Sequence, residues 1–282
     1  MTLLLDPRQR AMLAEMGVRT DFLPAAPSGV SAVAAPPEDT PPKVQRPEAR
    51  PQATTPQTHS IALAQPLASQ ASSAVSQMDW EALAQSVSEC QACGLCKTRK
   101  NTVFGVGAPA AGPGLAPRAD WLVVGEAPGE NEDLQGEPFV GQAGRLLDNM
   151  LKAMGLSRRA QDAPEASVYI VNVLKCRPPG NRNPQPEELL QCAPFLERQV
   201  ALLQPKIIVA MGRFAVQSLL KDTVPQVESI PLGKLRGQIY SYRGIPVVVT
   251  YHPAYLLRSL AEKAKAWADL CLALSRARRP QD

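Results

Sequence analysis

Three runs are apolar almost throughout: Trp121–Gly125 (WLVVG), residues 167–176 (SVYIVNVLKC) and residues 206–212 (KIIVAMG). None alternates polar with apolar as a half-solvated strand does, so each predicts a strand buried on both faces. The segments between and after them carry apolar residues at helical spacing. One lies over residues 142–154, and another runs from Pro186 through Leu189, Leu190, Phe195, Leu196, Val200 and Leu203. RFAVQSLL follows as a short helix, and Leu260, Ala264, Trp267, Leu270, Cys271 and Leu274 form a last stripe. Between these two, GQIYSYRGIPVVVTYHP holds two strand-like runs around Arg243 and Gly244, the second covering residues 247–250 and ending at His252. Strands alternating with helices predict an α/β domain: a mainly parallel sheet with helices on both faces. Ligands of such sheets bind beyond the carboxyl ends of the strands, so the loops GEAPG, NVLKCRPPGNR and HPAYLLR converge on one crevice.

The loop over residues 125–144, GEAPGENEDLQGEPFVGQAG, is far longer than an ordinary strand-to-helix turn, which marks it as functional. It gathers Glu126, Glu130, Glu132 and Asp133, the aromatic Phe139, and glycines that let backbone amides approach a ligand. Glu130 and Asp133 read as solvated or capping carboxylates.

Composition divides the chain. Residues 23–77 are Pro, Ala, Ser, Thr and Gln with too few large apolar side chains to bury, and predict a disordered linker. Residues 1–77 hold six Lys or Arg and six Asp or Glu, so the net charge of +4 falls wholly in residues 78–282. Within residues 1–22, Met12, Leu13, Met16 and Val18 predict a short amphipathic helix. It reads either as a docking motif for a repair or replication protein or as a fraying end. There is no apolar window of about twenty residues, hence no expected membrane span. The N-terminus has no secretory signal pattern, so the expected location is cytoplasmic and nucleoid-associated, and the expected state a monomer.

Six cysteines in a reducing compartment point to metal ligation, catalysis or burial before disulfides. Cys90 and Cys93 pair naturally with Cys176 and Cys192; four thiolates hold either zinc or an iron–sulfur cluster, and spacing does not choose. Cys96 and Cys271 read as free thiols, the latter on the stripe of the last helix.

Taken together, the 125–144 loop, NVLKCRPPGNRNP, the Cys90, Cys93, Cys176, Cys192 set and HPAYLLR resemble the iron–sulfur uracil-DNA glycosylases of family 4. The resemblance covers residues 85–275 and says nothing of residues 1–77. It implies a three-layer α/β/α domain with a four-stranded, mainly parallel sheet. It also implies a [4Fe-4S] cluster on the four cysteines, and hydrolysis of uracil from single- or double-stranded DNA. The competing reading is a non-catalytic iron–sulfur module that binds uracil-DNA or senses redox state.

The same resemblance distributes roles. The backbone of Gly125, Glu126 and Ala127 lines a uracil pocket, Phe139 stacks on the flipped base, and Asn172 reads its N3–H and O4. His252, the one histidine of residues 78–282, donates to O2 as charge develops there. Glu126, Glu132 and Asn181 are the candidates for holding the nucleophilic water. From the residues themselves, the apolar Tyr255, Leu256 and Leu257 on the loop after His252 and Pro253 suit the wedge filling the gap in the duplex, and the basic Arg182, Arg258, Lys175, Arg177 and Arg213 near the loops are the expected phosphate contacts.

Overall fold

The computed structural model describes residues 74–108, 112–160 and 163–278. The helix expected within residues 1–22, its partner, and most of the linker expected over residues 23–77 lie outside the described residues.

Five strands form one sheet: β1 Trp121–Gly125, β2 Val168–Asn172, β3 Ile207–Met211, β4 Ile239–Tyr242 and β5 Ile245–Thr250, in the order β2-β1-β3-β5-β4. Four of them are parallel, as expected. The fifth, β4, pairs antiparallel with β5 through the Arg243–Gly244 turn, both of whose residues have positive φ. The expected strand count of four is therefore corrected to five. Unlike β1, β2 and β3, which are buried at every position, β4 is exposed at Ile239 and Ser241 and buried at Tyr242. This is the mixed pattern of an edge strand with one wet face.

The helices are α1 Trp80–Glu89, α2 Glu130–Gln135, α3 Gln142–Ala153, α4 Pro186–Leu203, α5 Arg213–Leu220, α6 Leu232–Leu235, α7 Pro253–Arg258 and α8 Lys263–Ala277. Successive strand residues point to opposite faces. Trp121, Val123, Ile170, Val209 and Val248 thus pack under Leu147 and Met150 of α3 and Trp267 and Leu270 of α8. Leu122, Val124, Val171, Ile208 and Val249 pack under Leu196 and Val200 of α4 and Val216 and Leu219 of α5. The result is the expected α/β/α sandwich. Among the described residues no helix is long and apolar enough to cross a membrane.

Two local features differ from expectation. The loop after β1 contains a helix, α2, whose N-cap backbone N–H at Gly129 donates to Glu132 Oε2 at 3.0 Å. Asp133, expected to be solvated or capping, is 2% exposed. Its Oδ1 accepts from the backbone N–H groups of Lys100 (2.9 Å) and Asn101 (3.3 Å), tying the basic turn after the cysteines to the loop. A buried carboxylate is tolerable only with such partners.

Candidate active site

Strand register brings the three expected loops to one edge. Gly125 at the end of β1 lies beside Asn172 at the end of β2, and Met211 beside Thr250 at the ends of β3 and β5. A cavity of about 760 Å³ opens there, lined by Glu126, Ala127, Glu132, Phe139, Asn172, Asn181, Arg182, Arg213, Tyr251, His252, Tyr255 and Arg258, among others.

The floor is set by close approach. A Cβ on Gly125 would stand 2.4 Å from Asn172 Oδ1 and 2.6 Å from Phe139 Cζ, so only glycine lets the amide and the ring come together. Asn172 is 2% exposed, and its Oδ1 has no hydrogen-bond partner. An unpaired buried acceptor costs on the order of 1–3 kcal/mol. It is retained here at the wall of a cavity. Phe139 sits in the sparsely populated left-handed region (φ 56°), and its ring packs against His252 with centroids 5.3 Å apart and planes 28° from parallel. The ring is 5% exposed, so it also belongs to the core beneath the cavity.

His252 is the N-cap of α7, and the backbone N–H of Ala254 donates to its Nδ1 at 3.2 Å. Nδ1 is therefore the acceptor nitrogen, and the ring proton belongs on Nε2. Burial, with the positive charge of Arg258 adding to it, lowers the His252 pKa to about 4, so the ring is neutral at physiological pH.

The carboxylates divide by environment. Both oxygens of Glu132 are taken: Oε2 accepts from Gly129 N–H, and Oε1 from Val140 (3.0 Å) and Gly141 (3.2 Å) N–H. This is the geometry of a loop staple. Glu126 Oε1 accepts from Phe214 N–H at 3.0 Å, at the start of α5. Burial raises the Glu126 pKa, opposed by the backbone N–H groups of Phe214 and Arg213. Asn181, also at positive φ (54°), accepts from Arg177 Nε through Oδ1 at 2.8 Å.

Several expected placements change. Leu256 is fully buried in the core and is not a wedge; Tyr255 and Leu257, each 38% exposed, remain at the surface. Lys175 is 1% exposed and reaches no phosphate. Its Nζ donates to Asn172 O (2.7 Å) and Gln199 Oε1 (2.6 Å), bracing the strand end that carries Asn172. Arg182 faces the cavity but is held bidentately by Glu188 at 2.5 and 3.0 Å. Tyr251 was not foreseen. It lines the cavity, its ring centroid is 4.9 Å from that of Tyr255, and the Arg236 guanidinium lies 4.5 Å from its ring centroid. Its position next to His252 was the available signal.

The cysteines meet on the other side of the NVLKC loop. Cys90, Cys93, Cys96, Cys176 and Cys192 line one small cavity with Val87, Leu95, Leu174 and Phe195. Cys96, expected to stand apart, is thus in the same group. Burial raises the pKa of Cys93 and Cys176 and pushes that of Cys192 up to about 12. Arg99 Nη1 donates to Cys176 Sγ at 3.2 Å and Lys175 N–H to Cys192 Sγ at 3.3 Å. Among the described residues no group of three or more His, Cys, Asp or Glu is arranged to hold a metal ion.

Comparison with known proteins agrees with this geometry. Residues 113–271 match the family model of the uracil DNA glycosylase superfamily. The chain is 43% identical over 180 residues to a type-4 uracil-DNA glycosylase of Saccharolobus solfataricus, covering 62% of this chain and 76% of that one. It is 41% identical over 179 residues to one of Archaeoglobus fulgidus (62% and 81% of the two chains), and 38% identical over 199 residues to one of Pyrobaculum aerophilum (69% and 93%). With this sheet, this cavity and these relatives, the chain belongs to the uracil DNA glycosylase superfamily and, within it, to the type-4 enzymes.

Proposed function

We propose that the protein is a DNA-repair glycosylase that binds uracil-containing DNA, turns the uridine into the cavity beyond β1, β2 and β5, and hydrolyses its N-glycosidic bond. The observation that carries the reading is the partnerless, buried Oδ1 of Asn172. Uracil N3–H supplies the missing donor, while the Asn172 amide N–H donates to O4. Cytosine offers a lone pair at N3 and an amino group at C4, so it meets like against like and leaves the amide unpaired.

Phe139 provides the stacking face, and the backbone at Gly125–Ala127 closes the pocket around O2. As the glycosidic bond breaks, negative charge gathers on the base. His252 Nε2–H donates to O2, and a neutral donor fixed beforehand stabilises that charge without reorganising. The proton stays on His252; the base leaves as an anion.

Glu126 is the residue for the water. Burial raises its pKa, which suits it to take the proton of the attacking water, and a carboxylate there also faces the cationic sugar. Asn181, with Oδ1 engaged by Arg177, offers the water its N–H donors. Glu132 acts through the loop it staples, as a positioning residue. Tyr255 and Leu257 fill the gap left by the base, and Arg258 and Arg213 meet phosphates.

The four cysteines Cys90, Cys93, Cys176 and Cys192 fit a [4Fe-4S] cluster. They are thiols with apolar neighbours around one cavity, two of them already accepting N–H···S bonds, and burial raises the pKa of Cys93, Cys176 and Cys192. Held by these residues, such a cluster would cross-link the end of α1, the loop after β2, and α4.

The test is incubation with a uracil-containing oligonucleotide followed by alkali. Strand breakage at the uracil is expected; retention of the oligonucleotide without breakage would make the protein a binder and sink the catalytic reading.

A further inference from the structure

Phe139 is a bulky residue held at φ 56°, a conformation that costs free energy and persists only where surroundings impose it. Two features impose it here. On one side the carbonyl of Phe139 is pressed so closely onto the first turn of α3 that a Cβ on Gly144 would lie 1.7 Å from its oxygen. On the other side is Arg158, in the loop after α3, whose side chain is 10% exposed. Its Nη1 donates to Pro138 O at 2.9 Å and its Nη2 to Phe139 O at 3.3 Å, while Nε donates to Asp148 Oδ1 of α3 at 2.8 Å. A planar guanidinium serves two consecutive carbonyls and a carboxylate together, which the point charge of lysine does not. Arg158 does not line the cavity in which Asn172 and His252 stand; it lines a separate concavity on the far side of Phe139, with Arg145 and Lys152.

We propose that Arg158 is a positioning residue for base excision: it holds the main chain of residues 138–139 so that the Phe139 ring lies flat against His252 and presents its face to the flipped base. The inference rests on the reading of Phe139 as the stacking ring. Without the clamp the peptide relaxes toward ordinary φ, and the ring leaves both Gly125 and His252. A misplacement of about 1 Å at a reacting site costs roughly 100-fold in rate.

The experiment is a double-mutant cycle on the full-length protein, with single-turnover excision from a uracil-containing duplex measured below the melting temperature of every variant. Phe139→Ala and Arg158→Ala are each expected to slow excision roughly 10- to 100-fold. The double variant should stay within about twofold of Phe139→Ala alone, because the clamp has nothing left to position. Arg158→Lys should restore part of the rate, and Asp148→Asn should show a smaller loss in the same direction. If Arg158→Ala does not fold, the same cycle run with Arg158→Lys decides. Arg158 variants at the wild-type rate, or losses that multiply in the double variant, would overturn the proposal. Phe139→Ala at the wild-type rate would instead overturn the stacking role itself, and the clamp's catalytic meaning with it.

Discussion

The neutral His252 gives the sharpest quantitative test. Its pKa in the folded protein is about 4, against 6.5 for the unperturbed side chain. The causes are burial first and the Arg258 charge second; a second ring proton would also break the Ala254 N–H to Nδ1 bond. Between the two pKa values the unfolded chain binds a proton that the folded chain refuses. Stability contributed by the neutral ring is therefore present above pH 6.5 and lost as pH falls toward 4. At 1.36 kcal/mol per unit, the loss attributable to this one group between pH 7 and pH 4.5 is about 2 kcal/mol. Replacing His252 with Gln, which does not titrate, should remove that much of the pH dependence in denaturant unfolding. On the proposed mechanism the same pKa governs catalysis. Excision by the wild type should show no inflection near pH 6.5, because the Nε2–H donor is already in its working form there. His252→Gln should lower the single-turnover rate at pH 7 by roughly 100-fold, the range for losing one oxyanion donor. A wild-type rate profile that titrates near 6.5, or identical pH dependence of stability in the two proteins, would refute a buried neutral donor.

Asn172→Ala should separate activity from stability: excision falls at least roughly 100-fold, while unfolding free energy changes by less than about 1 kcal/mol, because the deleted acceptor had no partner. A large stability loss with the rate intact would show that Oδ1 works within the fold. Gly144→Ala drives a methyl into Phe139 O, and overpacking of this kind costs about 1–3 kcal/mol; a melting temperature equal to wild type would contradict the tight approach. Glu132→Gln loses a charged acceptor shared by three backbone N–H groups and should destabilise by about 2 kcal/mol, with slower excision following from the disturbed loop. Full activity and full stability would deny it the staple role. Cys176→Ser should lower iron and acid-labile sulfide per chain in anaerobically purified protein, whereas Cys271→Ser should not; equal iron in both would remove Cys176 from the ligand set.

Much of the architecture was legible because backbone hydrogen bonding and burial are written locally. WLVVG, VYIVN and IIVAM have no polar face to leave wet, so they are strands buried on both faces wherever the sheet places them, β2 at its edge included. The order of helices between them left a parallel sheet as the consistent solution, and its carboxyl edge as the place for the site. The edge strand β4 was harder to count because Gly237, Arg243 and Gly244 at positive φ bound a run of only four residues with one wet face. The chemistry of the motif residues was legible for the same local reason: an amide at the end of a buried strand and a histidine before a proline stand out against their neighbours.

What the sequence leaves open is which way each side chain is pointed, since that depends on residues distant along the chain. Lys175 and Leu256 sit in motif loops and read as surface groups, yet folding turns one onto Gln199 and the other into the core. Glu126 and Glu132 are alike in a list of carboxylates. One becomes a half-buried carboxylate against the start of α5, and the other spends both oxygens on its own loop. Arg158 carried no signal, because its meaning is the position of two carbonyls nineteen and twenty residues away. The sequence by itself determined the layers, the edge of the sheet where the candidate site lies, and the kinds of groups gathered there. Tertiary structure decided protonation, partner and role, because those are set by burial and by donors that only long-range packing brings within about 3 Å.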